Sequence, residues 1–239
     1  MDGSPRRLGI LGGTFDPVHI GHIEMADAAH KLLGLTDVVV VTSNVPPHRP
    51  QPAASAYHRF AMVALAVQDR PDWRASDMEL RFDAPSYTSR TLTRLHDRGY
   101  EPAQLFFLIG ADAFLEIATW KDYPNILEAA NFVVVSRPGF GAKELPEQLP
   151  QLSARMVTQP IEALNSAIPL IILLDAPTTD VSSTAIRSRL TLGDSIAGLV
   201  PPRVQQHIEQ HGLYMSMIPG RRASDTRDIP QAGRLHGQN

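Results

Sequence analysis

The sequence predicts an α/β protein built on a doubly wound parallel sheet, with a small helical subdomain at its carboxyl-terminal end. Two observations predict the sheet: short apolar segments bounded by turn residues recur along the chain, and helical patterns separate them. Apolar runs of this length are typical of strands buried on both faces, as in a parallel sheet covered by helices. A third observation predicts the subdomain, since the pattern after Leu174 is helical only.

Each element is predicted from its composition and from the residues that bound it. The five predicted strands are residues 8–11, 38–42, 105–109, 132–136 and 170–174. Six further segments have helical periodicity, and most of them stop at a glycine or before a proline, as helices do. The predicted helices are residues 20–33, 57–68, 86–97, 112–118, 183–192 and 202–210.

These elements form one predicted domain over residues 7–217, and its helical part covers about 181–214. The segment 139–151 combines prolines and glycines with charged residues, and it is predicted to be a surface loop. Residues 218–239 are polar and offer little apolar surface to bury, so we expect a disordered tail.

The composition excludes several classes of function. The 239 residues include 22 Lys and Arg against 25 Asp and Glu, a net charge of −3, so nothing attracts the whole chain to nucleic acid or to an acidic membrane. The absence of Cys excludes disulfides, thiolate nucleophiles and cysteine-ligated metals. Without a signal peptide or an apolar run of about 20 residues, we expect a cytoplasmic protein. Its expected partners are small molecules, and the sequence leaves open whether it forms a homo-oligomer.

A glycine-rich segment joins the first predicted strand to the first predicted helix. It reads Gly-Gly-Thr-Phe-Asp-Pro-Val-His-Ile-Gly-His from Gly12 to His22. Its two leading glycines let a ligand approach the backbone, and His19 and His22 share one face of the helix start. Phosphate binding at this helix N-terminus competes with two simpler interpretations: solvated histidines, and half of a zinc site, which the helix dipole opposes. The segment is neither a P-loop nor a dinucleotide-binding glycine motif.

A second candidate phosphate site opens the first helix of the last third of the chain. Residues 181–187 read Val-Ser-Ser-Thr-Ala-Ile-Arg. The simplest interpretation is a helix N-cap, but no Glu or Gln stands where a capping box requires one. Arg187 near a helix N-terminus is unfavourable unless an anion compensates its charge. Three hydroxyls, free backbone N–H groups and an arginine therefore favour a phosphate cradle.

Both segments resemble a known family. The segment from Gly12 to His22 resembles the signature of the nucleotidyltransferase superfamily that carries the His-x-Gly-His motif, and residues 182–187 are similar to the Ser-Ser-Thr-x-Ile-Arg motif of the nicotinate and nicotinamide mononucleotide adenylyltransferases. The resemblance implies a Rossmann-like nucleotidyltransferase fold, with His19, His22 and Arg187 as catalytic residues. The ATP-binding residues that it implies are Gly12, Gly13, Thr14, Phe15, His19, His22, Gly110, Asp112, Ser183, Thr184 and Arg187.

Four further segments resemble the bacterial nicotinate mononucleotide branch: residues 44–49, in which Arg49 replaces a Lys, residues 85–92, residues 110–120 and residues 136–139. The resemblance implies that Asp112 meets the nucleotide's sugar or phosphates and that Trp120 stacks on the pyridine ring. A core aromatic for Trp120 and a solvated Arg137 are the simpler alternatives. The substrate-binding residues that the resemblance implies are Thr14, Asn44, Pro47, His48, Arg49, Thr88, Trp120 and Arg137.

The implied reaction is adenylyl transfer from ATP to the 5′-phosphate of nicotinate mononucleotide, which gives nicotinate adenine dinucleotide and pyrophosphate in NAD biosynthesis. Mg²⁺ is the expected cofactor, carried on the phosphates of ATP rather than in a protein site. Two alternatives stay open: nicotinamide mononucleotide as the preferred substrate, and a nucleotide-binding regulatory module without turnover. We expect selection of the acid over the amide, with its source near Thr88 and Trp120.

Overall fold

The structure is a computed structural model, and it describes residues 6–45 and 51–215 of the chain. The sequence predictions for Pro47, His48 and Arg49, and for a disordered tail over residues 218–239, lie outside the described residues. Of the helices in the described ranges, none is long and apolar enough to cross a membrane.

A seven-stranded parallel sheet confirms the predicted fold class. Its strand order is β3-β2-β1-β4-β5-β7-β6, and every neighbouring pair is parallel. The interior strands are apolar almost throughout because helices bury both of their faces. The strands are β1 (Leu8–Gly13), β2 (Asp37–Thr42), β3 (Trp73–Ser76), β4 (Leu105–Gly110), β5 (Asn131–Val135), β6 (Met156–Val157) and β7 (Ile171–Leu174).

Helices cover both faces of the sheet. The first helix starts after His19 and ends at Gly34, whose φ of 56° lies in the left-handed region that glycine adopts without steric cost. The α-helices are α1 (Ile20–Leu33), α2 (Ala56–Val67), α3 (Thr88–His96), α4 (Ala111–Phe114), α5 (Leu145–Gln148), α6 (Pro160–Leu164), α7 (Ser183–Leu192) and α8 (Pro202–Gln210). Short 3-10 helices lie at Pro102–Gln104, Ile117–Thr119, Asn125–Glu128, Ala142–Glu144 and Pro150–Arg155.

The carboxyl-terminal helices α7 and α8 pack on the same face of the sheet as α1. Ile186 of α7 and Val204 and Ile208 of α8 are fully buried, and they belong to the same apolar cluster as Leu11 of β1. Ile20, the first residue of α1, also donates its backbone N–H to the carbonyl of Leu199 at 3.0 Å. The helical part therefore shares a core with the sheet and is held against the start of α1.

The structure corrects three sequence predictions. The segment 139–151 is not a surface loop, since it forms two 3-10 turns and α5, whose Leu145 is buried against the sheet. The predicted helix 112–118 divides into α4 and a 3-10 turn, because from Glu116 onward the backbone N–H groups bond to the carbonyl three residues back, as Glu116 does to Ala113 at 3.3 Å. Strands β3 and β6 escaped prediction because both are short edge strands with little continuous apolar sequence.

Candidate active site

A crevice at the centre of the sheet is the candidate active site. Strands β1 and β4 are parallel neighbours, yet the chain proceeds from β1 to β2 on one side and from β4 to β5 on the other. The connections that leave their carboxyl ends therefore diverge, and ligands of such sheets bind in the crevice between them. Gly13 and Gly110 end these two strands, so the segment from Gly12 to His22 and the segment 110–120 both border the crevice.

Two histidines stack where the connection from β1 enters α1. The ring centroids of His19 and His22 are 3.6 Å apart, with 24° between the planes. His22 accepts a hydrogen bond at Nδ1 from the backbone N–H of His19, at 3.3 Å. Because Nδ1 is the acceptor, the neutral ring of His22 carries its hydrogen on Nε2. The side chain is thereby held as a donor at a helix N-terminus.

His19 has a different environment from its neighbour. The residue is 2% exposed, and its Nδ1 is buried without a hydrogen-bond partner among the described residues. Burial, with a smaller contribution from the positive charge of Arg137, lowers the pKa of His19 from 6.5 to about 3. His19 is therefore a neutral imidazole at physiological pH, available for a hydrogen bond and not for a proton to be donated as an acid.

Phe15 packs against His22 of the histidine pair. Its φ of 51° is in the left-handed region, and its ring is 2% exposed and stands edge-on to His22, with centroids 5.1 Å apart. A Cβ on Gly13 would lie 2.9 Å from this ring, so the glycine is required by Phe15. The resemblance implies an ATP contact for Phe15, whereas the buried ring itself packs against protein.

The start of α7 lies beside the start of α1. The Ser183 hydroxyl donates to the carbonyl of Pro17 at 2.8 Å, and Arg187 donates from Nη1 to the carbonyl of Asp16 at 2.7 Å. Ser182 caps α7 by accepting from the N–H of Ala185 at 3.1 Å, as the simpler sequence interpretation expects. Thr184, at the exposed start of the helix, accepts from Arg187 Nη2 at 3.4 Å. The two predicted phosphate segments thus form one continuous surface.

Gly21 allows this close approach. A Cβ there would lie 3.2 Å from the carbonyl oxygen of Thr179 and 3.2 Å from Val181 Cγ1. Such contacts are tighter than nearly all Cβ contacts in proteins, so the neighbouring groups would have to move by a few tenths of an ångström. The glycine between the two histidines therefore makes room for the segment that leads into α7.

Asp112 and Arg137 border the other side of the crevice. Arg137 donates from Nη2 to the carbonyl of Val181 at 3.0 Å, and its Nη1 lies 3.9 Å from Asp112 Oδ2. A Cβ on Gly110 would be 2.5 Å from Asp112 Oδ1 and 2.7 Å from Arg137 Cδ. Arg137 is thus an ordered link between the end of β4 and the segment before α7, rather than a solvated side chain.

Two of the predicted second-substrate residues, Asn44 and Thr88, lie near the start of α3. The backbone N–H of Asn44 donates to the Ser86 hydroxyl at 2.9 Å, and the Asn44 side chain donates to the carbonyl of Phe82 at 2.8 Å. Thr88 is the first residue of α3, after the N-cap residue Tyr87, whose side chain makes no capping hydrogen bond. A helix start without a side-chain cap is suited to an anionic ligand.

Trp120 and Arg90 flank this region. Trp120 is half-buried, and its ring stands edge-on to Phe107 with centroids 6.0 Å apart. This contact agrees with the simpler interpretation, in which Trp120 packs as a core aromatic, but the half-buried ring is covered only in part. Arg90 is exposed, and its guanidinium lies over the Tyr87 ring at 5.4 Å, so its charge faces solvent.

Unpartnered polar atoms collect along this edge of the sheet. In native structures nearly all buried polar atoms have a hydrogen-bond partner. In the described ranges, the buried side-chain atoms that lack one lie at or shortly after the carboxyl ends of strands, or at the start of α3. A ligand with several polar groups would supply the missing partners. The atoms are His19 Nδ1, Thr42 Oγ1, Ser43 Oγ, Ser89 Oγ and Asp112 Oδ1.

Asp16 organises the site, although the sequence analysis did not select it. It is 6% exposed and accepts from the backbone N–H groups of Ala53 at 2.7 Å and Ala54 at 3.0 Å. It also accepts from the Tyr214 hydroxyl at 2.8 Å, and its Oδ2 lies 3.8 Å from Arg187 Nη1. Nothing local in the sequence distinguishes this aspartate from a turn residue.

Arg59 of α2 is the second residue that the sequence analysis missed. It is 1% exposed, and its guanidinium donates to the carbonyls of Thr14 at 2.7 Å, Ser43 at 2.7 Å, Asn44 at 3.2 Å and Ala54 at 3.2 Å. Burial lowers its pKa, and Asp16 opposes that effect. Arg59 lies on the apolar face of α2, three residues before the buried Met62. A charged residue on the apolar face of a helix is the sequence signal by which it could have been found.

The fold and this site define a class of protein. The chain matches the family model described as cytidylyltransferase-like over residues 10–189, and so it is a nucleotidyltransferase of that class. Within the class, the chain belongs to the nicotinate-nucleotide adenylyltransferase family. It is 39% identical over 206 residues to a probable nicotinate-nucleotide adenylyltransferase of Klebsiella pneumoniae, covering 86% of this chain and 95% of that one. It is also 39% identical over 207 residues to the nicotinate-nucleotide adenylyltransferase of Salmonella typhi, covering 86% and 97%.

Solved structures share the fold. The nicotinic acid mononucleotide adenylyltransferase of Plasmodium falciparum, complexed with NaAD, superposes with a TM-score of 0.65 at 19% identity, covering 87% of this chain and 97% of that one. A putative nicotinate-nucleotide adenylyltransferase of Vibrio parahaemolyticus gives a TM-score of 0.53 at 19% identity, covering 87% and 95%. At 19% identity, the similarity to these two structures shows that the fold is shared.

Proposed function

We propose that the chain transfers the adenylyl group of ATP to the 5′-phosphate of nicotinate mononucleotide, giving nicotinate adenine dinucleotide and pyrophosphate. Family membership supports the reaction. The observation that carries the proposal is the meeting of two helix starts, α1 with His19 and His22 and α7 with Arg187, at the switch-point crevice. Helix N-termini, imidazole donors and a guanidinium are groups that bind phosphates.

In this proposal the ATP phosphates lie between the starts of α1 and α7. His22 donates from Nε2 to a phosphate oxygen, and Arg187 stabilises the charge that develops on the leaving pyrophosphate. His19 supplies a second imidazole, whose buried Nδ1 needs a partner. Groups already held in place by protein hydrogen bonds need no reorganisation during the reaction, which is the main source of catalysis in such sites.

The nucleophile needs no general base. The second pKa of a phosphomonoester is about 6, so the 5′-phosphate is already largely ionised at neutral pH. Its oxygen attacks the α-phosphorus in line, the bond to the β-phosphate oxygen breaks, and pyrophosphate leaves with the electron pair. A neutral His19 agrees with this scheme, since the scheme requires orientation and charge stabilisation rather than proton transfer.

The described site fits a Mg²⁺ ion that arrives with ATP. Asp112 offers one carboxylate, with Oδ1 lacking a partner among residues 6–45 and 51–215, whereas the oxygens of Asp16 are taken by protein donors. Mg²⁺ keeps several waters and binds one or two carboxylates together with substrate phosphates, so Asp112 is the residue that would hold it. Bound there, the ion neutralises negative charge on the phosphates.

The pyridine mononucleotide lies, in this proposal, against the start of α3, with Thr88 at its carboxylate and Trp120 at its ring. The positive end of a helix dipole favours a carboxylate by about 0.3–1 kcal/mol, and by up to about 2 kcal/mol when partly buried. An amide NH₂ facing the same donors leaves polar groups unpaired, at about 1–3 kcal/mol. We therefore expect the acid to be preferred about tenfold to a thousandfold.

Pyrophosphate release from ATP tests the reaction, with nicotinate mononucleotide, nicotinamide mononucleotide, phosphopantetheine and glycerol 3-phosphate as acceptors. We expect efficient release with the first, weak release with the second and none with the others. No release with any acceptor would leave a regulatory nucleotide-binding module as the better proposal. Equal kcat/KM for acid and amide would refute the acid-specific assignment.

Two variants of α3 locate the source of selection. Thr88→Val removes the hydroxyl at the helix start, and Thr93→Val removes an exposed hydroxyl on the same helix, which donates to the Ser89 carbonyl at 3.0 Å. We expect the first to reduce the acid preference and the second to leave it unchanged. A preference untouched in Thr88→Val would move its origin to backbone donors or to Trp120. A cytoplasmic location stays a prediction, and the oligomeric state stays open.

A further inference from the structure

Three histidines meet at the contact between α2 and α8, away from the crevice. His58 lies in the first turn of α2, His207 lies in α8, and His211 directly follows α8. His207 and His211 are four residues apart and so share one face of the helix. The ring centroids are 5.2 Å apart for His58 and His207, 4.8 Å for His58 and His211, and 4.4 Å for His207 and His211.

The nitrogen atoms of this histidine cluster converge. One ring nitrogen from each residue lies within 4.8 Å of the other two, and no other group of three or more His, Asp or Glu ligands of this kind is found in the described ranges. His58 Nδ1 and His207 Nε2 are 3.1 Å apart. Imidazole–Zn bonds of about 2.0–2.1 Å place neighbouring ligand nitrogens about 3.3 Å apart in a tetrahedral site. The three nitrogens lie within 4.8 Å of one another, so an approach of about 1.5 Å or less brings them to that spacing.

We propose that His58, His207 and His211 form a binding site for a divalent transition metal ion of the Zn²⁺ type. Three imidazoles are a ligand set that such ions take, and a hard ion such as Mg²⁺ prefers oxygen. His58 and His207 are half-buried and His211 is exposed, so the fourth position faces solvent and is filled by water. The site is built from residues outside the adenylyl-transfer crevice and is independent of the proposed reaction.

The position of the site points to a structural role. It joins two helices that are far apart in sequence and in contact in the fold. His58 directly precedes Arg59, which holds the loops of the crevice, and His211 lies three residues before Tyr214, which bonds to Asp16. A metal ion bound here links α2 to α8 and stabilises the helix contact next to Arg59 and Tyr214, which hold the crevice in place.

Titration of the full chain with Co²⁺, after removal of metals by a chelator and with excess Mg²⁺ present, tests the proposal. We expect one equivalent to bind and to show the intense visible absorption of a four-coordinate Co²⁺ ion, and Zn²⁺ to displace it. At a free Zn²⁺ concentration of about 100 times Kd, the Tm should rise by about 5–10 °C. No visible band and no Zn²⁺-dependent rise in Tm would refute the site.

Variants assign the binding to these residues. His211→Gln changes an exposed side chain, so it should fold with an unchanged Tm in chelator, yet lose the absorption band and the Zn²⁺-dependent rise in Tm. His58→Gln should lose both as well. His96→Gln, at a histidine outside the cluster whose Nδ1 lies 2.8 Å from the Tyr100 carbonyl, should keep both. Metal binding retained in His211→Gln would overturn the proposal, because the ion would then be held by other residues.

Discussion

At the scale of single residues, the two histidines of the first motif have different environments although they stack on each other. His22 is half-buried and is held as a donor by the backbone N–H of His19. His19 is buried, and its pKa is lowered to about 3. One ring is therefore oriented by a hydrogen bond and the other by packing. These environments lead to separate predictions for the two side chains.

His22→Ala should lower kcat by about 10²–10³, because removing one preorganised donor to developing charge costs that much. Its stability should change little, since the ring is only half-buried. Steady-state kinetics together with urea unfolding measure both effects. His30→Ala, at the other end of the same helix, is the control and should keep kcat within about twofold. A folded His22→Ala enzyme with normal kcat would remove this side chain from the mechanism.

The lowered pKa of His19 predicts acid sensitivity in the ligand-free protein. Between pH 6.5 and about 3 the unfolded state binds a proton that folded His19 does not, so the free energy of unfolding falls as the pH falls through this window. From pH 7.5 to pH 5 the loss from this residue should be about 2 kcal/mol. Urea unfolding at both pH values measures it. His19→Asn should show a smaller loss than the parent chain, and an equal loss in both would contradict the assignment.

At the scale of elements, α2 is more than a helix that covers the sheet. Its apolar face packs through Met62 and Val63, and the same face carries Arg59 into the core. There the guanidinium donates to carbonyls from the connections after β1 and β2. The helix thus sets the distance between two loops that both border the crevice.

Arg59→Met should lower the free energy of unfolding by about 3 kcal/mol or more, because several buried carbonyls lose their donor at about 1–3 kcal/mol each. It should also lower kcat by up to about 10²-fold, since small displacements of positioned groups have effects of that size. Arg59→Lys should restore part of both losses. Arg98→Met, at an exposed arginine, is the control. Normal stability and kcat in Arg59→Met would show that the loops hold their positions without it.

At the scale of the whole molecule, Asp16 joins segments from the two ends of the described chain. The carboxylate lies in the connection after the first strand and accepts from Tyr214, which follows the last helix. Arg187, near the start of α7, donates to the carbonyl of the same aspartate. Burial raises the pKa of Tyr214, and the charge of Asp16 adds to that effect. The phenol therefore stays protonated and remains a donor.

Tyr214→Phe should lower the free energy of unfolding by about 1.5–3 kcal/mol, the range for a hydrogen bond to a charged group. It should also lower kcat/KM for ATP, because Asp16 would no longer be held from the carboxyl-terminal side. Tyr57→Phe, at a tyrosine that is 84% exposed, should change neither quantity. Chemical unfolding and initial rates at limiting ATP measure the two effects. Equal behaviour of the two variants would show that the Tyr214 contact contributes little.

The sequence by itself determined the fold class, the five interior strands and the two helix starts that border the crevice. Strands buried on both faces must be apolar throughout, and a helix start that binds phosphate needs glycines, hydroxyls and cations close together in sequence. These requirements involve residues that are close together in the chain, so short sequence patterns are enough to predict them. Edge strands, and the short helices within residues 139–151, have no comparable pattern and were missed or misassigned.

Only the tertiary structure decided how residues far apart in sequence act on one another. Tyr214 reaches Asp16 across 198 positions, and Ser183 reaches Pro17 across 166. The neutral state of His19 depends on burial by the whole core and on the charge of Arg137, and the histidine cluster exists only because α2 packs on α8. Burial, electrostatic fields and contacts between distant segments arise when the chain is folded, so no local sequence pattern records them.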